Sequence, residues 1–232
     1  MTSLTTIGVI IPAGGSGNRF GGDLPKQYLP IDGVPSIIRS IRTALQVEGC
    51  SAIVVAAGLE YHTLIHELLS SCNCVDNRIH LIEGGSERQD SVSKALQHHE
   101  LDGVEIIVVH DAVRPLASLA LWNRVIEGAR VSRAAIPVVM VADTIKRVDG
   151  DVVIETVGRE HLRRVQTPQA FAREFLRRAY QQAYLDGWTG TDCASLCELT
   201  GVAVHCVAGE EHNIKITTPF DVTVASAFLA RN

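Results

Sequence analysis

The chain has 232 residues, of which 46% are hydrophobic and 20% charged, with a formal net charge of −5 and a pI of about 6.0. This length predicts one large domain with a substantial core. The acidic balance argues against nucleic-acid binding, which requires a basic face. The first apolar run is too short for a signal peptide or a membrane span, so we expect a cytosolic protein. In that compartment the six cysteines are expected to be free thiols, and their spacing does not match a zinc site.

Short apolar runs alternate with amphipathic segments through the first half of the chain. Strands are predicted at 6–11, 51–57, 78–83 and 104–110. Helices are predicted at 36–46, 59–71, 88–99 and 116–131. The strand residues are nearly all apolar, as expected where helices cover both faces of a parallel sheet. We therefore predict an α/β fold with a Rossmann-like three-layer sheet that is mostly parallel.

The segment 143–156 breaks this alternation. Asp149 and Gly150 stand between two alternating runs, which is a strong signal for a β-hairpin. Because an isolated hairpin is only marginally stable in water, this arm is expected to rest on its own domain or on another subunit. After the arm, the sequence predicts helices near 171–185 and 192–200, strands at 202–208 and 213–217, and a last helix from Pro219.

A glycine-rich loop with the sequence AGGSGNR follows the first strand, from Ala13 to Arg19. It does not match the Walker A motif, and Phe20 stands where the dinucleotide fingerprint has its third glycine. A long open loop of this kind can present backbone N–H groups to an anion. Arg19 and Lys26 are then candidates for phosphate binding. The alternative is a glycine-rich turn with solvated cations.

Polar residues also follow the predicted strand at 104–110. His110 and Asp111 lie at its end, and ligands of open α/β sheets bind outside the carboxyl ends of strands. A carboxylate at this point suits Mg²⁺, which takes few protein ligands and several phosphate oxygens. The alternatives are that Asp111 caps a helix and that Arg114 pairs with it.

A third cluster follows the predicted strand at 78–83. Gly84 and Gly85 allow close backbone approach at this point. Ser91, a few residues later, could offer its hydroxyl to the edge of a base. It could equally cap or line a helix.

Together these motifs resemble a known family. The segments PAGGSGNR, PKQYLPI, GGSERQDSV, HDAVRP, ADTIKRV, VQTPQAF, TDCAS and NIKITTPFD occur in order between Ile7 and Asp221. They resemble the sugar-phosphate nucleotidyltransferases, and more narrowly the 2-C-methyl-D-erythritol 4-phosphate cytidylyltransferases of non-mevalonate isoprenoid synthesis. The ribitol-5-phosphate cytidylyltransferases share most of these segments and are the alternative, although Lys146, two residues after Thr144, favours the methylerythritol family.

The resemblance implies a nucleotidyltransferase sheet with CTP as co-substrate and Mg²⁺ as the metal. The implied nucleotide site comprises Ala13, Gly14, Gly15, Gly17, Gly85, Ser91 and Ala112. The implied catalytic cations are Arg19, Lys26, Arg159 and Lys215. The implied acceptor site comprises Asp111, Arg114, Thr144, Thr167 and Thr191, with Asp111 also beside the magnesium ion. Thr144 and Arg159 would come from the hairpin arm, at about 141–160, of the second subunit of a homodimer.

The sequence departs from the usual family residues at three positions, which are Gly14, Ser86 and Cys193. Two functions of other classes compete with the resemblance. A nucleotide-binding regulatory module would need the glycines but not the charges of Lys26, Asp111 and Arg159 together. A dinucleotide-dependent oxidoreductase is disfavoured because the third glycine of its fingerprint is missing.

Overall fold

The computed structural model describes residues 5–14 and 24–231. The strands in this part of the chain are β1 Ile7–Pro12, β2 Pro30–Ile31, β3 Val34–Pro35, β4 Cys50–Ala57, β5 Ile79–Glu83, β6 Ile106–Val109, β7 Ala134–Met140, β8 Ile145–Asp149, β9 Val152–Val157, β10 Arg163–Val165, β11 Gln169–Ala172 and β12 His205–Ala208. The α-helices are α1 Ser36–Leu45, α2 His62–Ser71, α3 Arg88–Ala95, α4 Leu119–Ser132, α5 Arg173–Asp186, α6 Cys193–Leu199 and α7 Pro219–Leu229. None of the helices in these two ranges has the length and apolar composition needed to cross a bilayer.

The centre of the main sheet is parallel, in the order β6-β1-β4-β5. Successive residues of β1 belong to opposite cores, because Val9 and Ile11 pack in one apolar cluster and Ile10 packs in the other. Helices α1, α2 and α4 complete the first cluster, and α3, α5 and α6 complete the second. Each buried Val, Leu or Ile in these clusters stabilises the fold by about 1.5–3 kcal/mol. The predicted three-layer α/β fold is confirmed.

The other half of the sheet is mixed. Ala135 of β7 pairs with Ala170 of β11 on one edge and with His205 of β12 on the other. β10 continues along the same edge as β11, with residues 166–168 between the two strands and a shifted register. Because β11 also pairs antiparallel with β6, these intervening residues lie just beyond the carboxyl end of β6. The interruption therefore places the 166–168 segment beside the residues that follow β6.

The predicted hairpin is confirmed. β8 and β9 pair with each other and form a separate two-stranded sheet, with Gly150 at a φ of +53° in the turn. A positive φ is a conformation that glycine adopts at little cost. Much of the arm is apolar and exposed: Val152 is 65% exposed and Ile154 is 58% exposed.

Several predicted elements have other bounds or are wrong. The predicted strand at 213–217 is wrong, because this segment forms no ladder and is held by side-chain contacts and one backbone hydrogen bond. The predicted helix at 88–99 is shorter and ends at Ala95. β7 and β11 were not predicted, since Pro137 interrupts the apolar signal of the first and the second has only four residues.

Candidate active site

Three glycines converge on one serine at the carboxyl ends of β1 and β5. Ser91 is 1% exposed; its Oγ accepts a hydrogen bond from the Gly85 N–H at 3.0 Å and donates to the Glu87 carbonyl at 3.1 Å. A Cβ on Gly85 would lie 2.1 Å from the Cβ of Asp90, so this position accepts no side chain. A Cβ on Gly14 or Gly84 would lie 3.2–3.3 Å from the Ser91 hydroxyl. The serine lines α3 and fixes the loop that the glycines form.

The segment with Lys26 is tied to the end of β1. Lys26 begins a short 3₁₀ turn, and the next two residues both bind the Ala13 carbonyl. The Gln27 Nε2 donates to that oxygen at 2.7 Å, and the Tyr28 hydroxyl donates to it at 3.4 Å. Lys26 is thus brought next to Ala13 and Gly14, as the sequence predicted.

Three predicted site residues, Gly15, Gly17 and Arg19, lie outside the described residues. Their roles stay predictions. Ala112, another predicted nucleotide contact, is buried, and its carbonyl accepts a hydrogen bond from the Ser36 hydroxyl at 2.7 Å.

The centre of the site is the carboxylate of Asp111, which is only 6% exposed. Its Oδ1 accepts from Arg88 Nε at 2.9 Å, and its Oδ2 accepts from Lys215 Nζ at 2.8 Å. Burial by itself would raise the pKa of this carboxyl. The charges of Arg88 and Lys215 outweigh burial and hold the pKa of Asp111 well below its usual range, so the group stays ionised.

His110 and Thr167 hold the backbone of Asp111 from below. The Thr167 Oγ1 accepts from the Asp111 N–H at 3.0 Å and lies 3.2 Å from His110 Nδ1. The other ring nitrogen of His110 lies 3.1 Å from the Arg114 carbonyl, which can only accept. His110 therefore carries its proton on Nε2 and accepts the Thr167 hydroxyl proton on Nδ1. Burial lowers the pKa of His110 to about 4, so the ring is neutral at neutral pH.

Two alternatives for this cluster are wrong. Asp111 does not cap a helix, because α4 begins after Ser118, whose Oγ accepts from the Leu121 N–H at 3.0 Å. Arg114 does not ion-pair with Asp111. Its guanidinium instead donates to the carbonyls of Asn213, at 2.7 Å, and Val165, at 3.4 Å.

Lys215 is positioned by anchors on both sides. The Asn213 side chain, fully buried, donates from Nδ2 to the Thr167 carbonyl at 2.9 Å, and the Ile216 N–H donates to the Val113 carbonyl at 2.8 Å. Between them, the Lys215 side chain is 43% exposed and reaches Asp111. The loop therefore presents a half-exposed ammonium group at the buried carboxylate.

The remaining predicted residues lie at other points of the chain. Thr144 and Arg159 flank the hairpin arm and are exposed, and the Arg159 guanidinium donates to the Ala142 carbonyl. Within the part of the chain that the structure describes, no hydrogen bond or ion pair joins either residue to Asp111. Thr191 is exposed and directly precedes Asp192, the capping residue of α6.

Sequence reasoning did not assign a role to Arg88, Gln166 or Asn213. Gln166 links the segments around the site, because its Nε2 donates to the Glu210 carbonyl at 2.7 Å and its Oε1 accepts from the Glu210 N–H at 3.1 Å. All three residues lie inside the quoted motifs GGSERQDSV, VQTPQAF and NIKITTPFD. The motifs were therefore the available signal, but nothing in their spacing indicates which side chain meets Asp111.

The electrostatics of this cluster suit a phosphorylated ligand. Arg88, Lys215 and Arg114 are three cations around the single carboxylate of Asp111, so the cluster carries a positive formal charge. The described residues include no group of three or more His, Cys, Asp or Glu side chains that could hold a metal. Asp111 alone offers a carboxylate oxygen here, which fits a magnesium ion whose other ligands are phosphate oxygens and water.

Comparisons with known proteins agree on one family. The model of the IspD family, described as 2-C-methyl-D-erythritol 4-phosphate cytidylyltransferase, matches residues 7–231. The protein of that name from Bacillus mycoides (strain KBAB4) is 41% identical over 221 residues, which cover 95% of this chain and 96% of the relative. The crystal structure of 4-diphosphocytidyl-2C-methyl-D-erythritol synthase from Anaerococcus prevotii DSM 20548 superposes with a TM-score of 0.85 at 30% identity, covering 98% of this chain and 97% of that one. That of 2-C-methyl-D-erythritol 4-phosphate cytidylyltransferase from Thermus thermophilus gives 0.80 at 32% identity, covering 98% and 100%.

The neutral state of His110 makes stability depend on pH. The folded pKa of about 4 lies below the ordinary value of 6.5, so the unfolded state binds more protons between these values. The free energy of unfolding should therefore fall by about 3 kcal/mol on this account as the pH drops from 6.5 to 4. Urea titrations across this range should show a shallower pH dependence for His110→Gln than for the wild type, with the exposed His99→Gln as control. Equal pH dependence in His110→Gln and wild type would contradict the assignment.

Proposed function

The chain belongs to the 2-C-methyl-D-erythritol 4-phosphate cytidylyltransferase family, and we propose how its own residues carry out the family's reaction. It transfers CMP from CTP to 2-C-methyl-D-erythritol 4-phosphate, giving 4-diphosphocytidyl-2-C-methyl-D-erythritol and pyrophosphate. This is a step of non-mevalonate isoprenoid precursor synthesis. The observation that carries the assignment of roles is the ion-paired carboxylate of Asp111 next to the glycine loop.

The chemistry explains why cations dominate the site. An oxygen of the acceptor phosphate forms a bond with the α-phosphorus of CTP, and the bond from that phosphorus to the departing pyrophosphate breaks. The second pKa of a phosphate monoester is about 6, so the nucleophile is mostly a dianion at pH 7 and needs no general base. The obstacle is repulsion between two polyanions, which fixed positive charges and correct alignment reduce.

The glycine cradle is the proposed site of the nucleotide. Gly85 and Gly14 leave the backbone open to close approach by CTP, with Ala13 and Ala112 as further contacts and Ser91 fixing the loop. Lys26, next to the end of β1, is proposed to bind the triphosphate together with Arg19. Neither role depends on a side chain that gains or loses a proton.

Asp111 and Lys215 are the proposed phosphate-aligning pair. The Lys215 ammonium has three donors, and one is engaged by Asp111 at 2.8 Å, which leaves two for phosphate oxygens. Arg114 and Thr167 would complete the acceptor side, with Thr191 at its margin. When bound, Mg²⁺ would take an oxygen of Asp111 and neutralise charge on the phosphates.

The hairpin arm is proposed to dock on a second copy of the chain. Its apolar side chains are exposed in one copy, and a two-stranded arm is only marginally stable without a partner surface. Thr144 and Arg159 at its base would then complete the acceptor site of the other subunit. The six cysteines are all unpaired, which supports a reducing cytoplasmic setting for this homodimer.

The acceptor is tested by pyrophosphate release with CTP and Mg²⁺. We expect turnover with 2-C-methyl-D-erythritol 4-phosphate and none above background with ribitol 5-phosphate. Turnover with ribitol 5-phosphate alone would overturn the acceptor assignment while keeping the class of reaction.

Removal of the proposed phosphate-binding cations should slow the reaction strongly. Lys26→Ala and Lys215→Ala should each lower kcat by roughly 10²–10⁴, because one transition-state charge contact typically contributes about 3–5 kcal/mol. The control is Arg130→Ala, which removes a surface cation paired with Glu127 on α4. Steady-state rates of pyrophosphate release are the measurement. A rate for Lys26→Ala or Lys215→Ala equal to that of the control would remove that lysine from the mechanism.

Mixed dimers test whether the arm acts across subunits. Arg159→Ala and Lys215→Ala chains should each be nearly inactive alone. When the two are coexpressed in equal amounts, random pairing leaves about a quarter of all sites with neither substitution if Arg159 serves the other subunit. Recovery to about a quarter of wild-type activity is therefore expected. If both residues served the same subunit, every site would carry one defect and no activity would return.

A further inference from the structure

Arg88 has no role in the proposed reaction so far, although it is one of the two cations on Asp111. We propose that Arg88 is a positioning residue of the transfer site and that the Cys193 thiol and the Tyr180 phenol hold its guanidinium against Asp111. This inference rests on the proposed role of Asp111 and Lys215 at the phosphates.

The contacts form a chain that joins four parts of the fold. Arg88, at the start of α3, donates from Nε to Asp111 Oδ1 at 2.9 Å and from Nη1 to Cys193 Sγ at 3.5 Å. The Tyr180 hydroxyl of α5 lies 3.2 Å from the same sulfur atom. The loop after β6 is thereby linked through α3 and α6 to α5.

The sulfur is placed to act as a support rather than as a nucleophile. Cys193 is fully buried, and burial raises the pKa of its thiol, so the group remains protonated and accepts the guanidinium hydrogen bond. Tyr180 is 6% exposed, and burial raises the pKa of its phenol as well. Neither group changes charge near neutral pH, so the link is permanent under working conditions.

The guanidinium depends on this support because it has few other partners. Arg88 Nη2 is buried and has no hydrogen-bond partner among the described residues. Without the sulfur, Nη1 would also lose its partner, which is costly for a buried charged donor. The planar group would then reorient, and Asp111 would keep Lys215 as its remaining ion-pair contact. A tighter Asp111–Lys215 pair withdraws the ammonium from the phosphates.

The test compares two buried cysteines on one helix. Cys197 lies one turn after Cys193 on α6, is equally buried and packs in the same apolar cluster. In the residues that the structure describes, no hydrogen bond joins it to Arg88. We expect Cys193→Ala to lower kcat/KM for the acceptor by roughly tenfold, the usual effect of a lost hydrogen bond to a charged group. Cys197→Ala should keep the wild-type value, and both variants should unfold at similar temperatures.

Two further variants separate positioning from packing. Cys193→Ser restores an acceptor for Nη1 and should recover most of the lost activity, and Tyr180→Phe should show a partial loss. In an Arg88→Lys background, which already lacks the guanidinium fork, Cys193→Ala should cause little additional loss. An additive loss in that double variant would mean that Cys193 acts independently of Arg88 and would overturn the proposal.

The same variants distinguish this inference from the proposed function. If Cys193→Ala matches Cys197→Ala while Lys215→Ala is inactive, the support of Arg88 is wrong and the phosphate role of Lys215 stands. If Lys215→Ala keeps full activity, the proposed function of the cluster fails first, and the positioning role of Arg88 fails with it.

Discussion

The buried carboxylate of Asp111 organises the site around it. An ionised carboxylate away from water costs several kcal/mol unless charged partners compensate for the lost hydration. Arg88 and Lys215 provide this compensation from segments that are 23 and 104 residues away in sequence. The ion pairs therefore bring α3 and the loop before α7 to the end of β6. The same carboxylate that organises the fold locally also gathers the excess of positive charge that a phosphate-transfer site needs.

Irregular backbone does much of the positioning around this carboxylate. Residues 166–168 interrupt the strand formed by β10 and β11, and the interruption puts the Thr167 hydroxyl on the Asp111 N–H. The loop with Lys215 likewise has no ladder, and its polar groups are satisfied by Asn213 and by Gln166. Such departures from regular structure are expected where a site requires side chains that a ladder would direct elsewhere. Neutral His110 completes the support without adding charge.

The parallel centre of the sheet and the hairpin could be predicted from the sequence. Continuous apolar runs indicate strands that are buried on both faces, and Asp149 with Gly150 specifies the turn. The alternating apolar residues Ile214 and Ile216 predict a strand that the structure lacks. Ile216 instead packs in a small cluster with neighbouring apolar side chains, so burial without a ladder produces the same pattern.

The site could be predicted only in part. The positions of Asp111 and Gly85 at strand ends follow from the apolar runs that precede them, whereas their specific roles came from the family resemblance. The contact of Arg88 with Asp111 was not predictable, because it depends on how β5 and β6 are spaced across β4 and β1. The decisive measurement is the rate of CMP transfer by Asp111→Asn, followed as pyrophosphate release with CTP, Mg²⁺ and 2-C-methyl-D-erythritol 4-phosphate. The substitution keeps the shape of the side chain and removes its charge, so Arg88 and Lys215 lose the group that aligns them. With folding at the assay temperature verified by circular dichroism, we expect kcat/KM to fall by roughly 10²–10³. A folded Asp111→Asn enzyme with a rate close to that of the wild type would contradict the central role of this carboxylate.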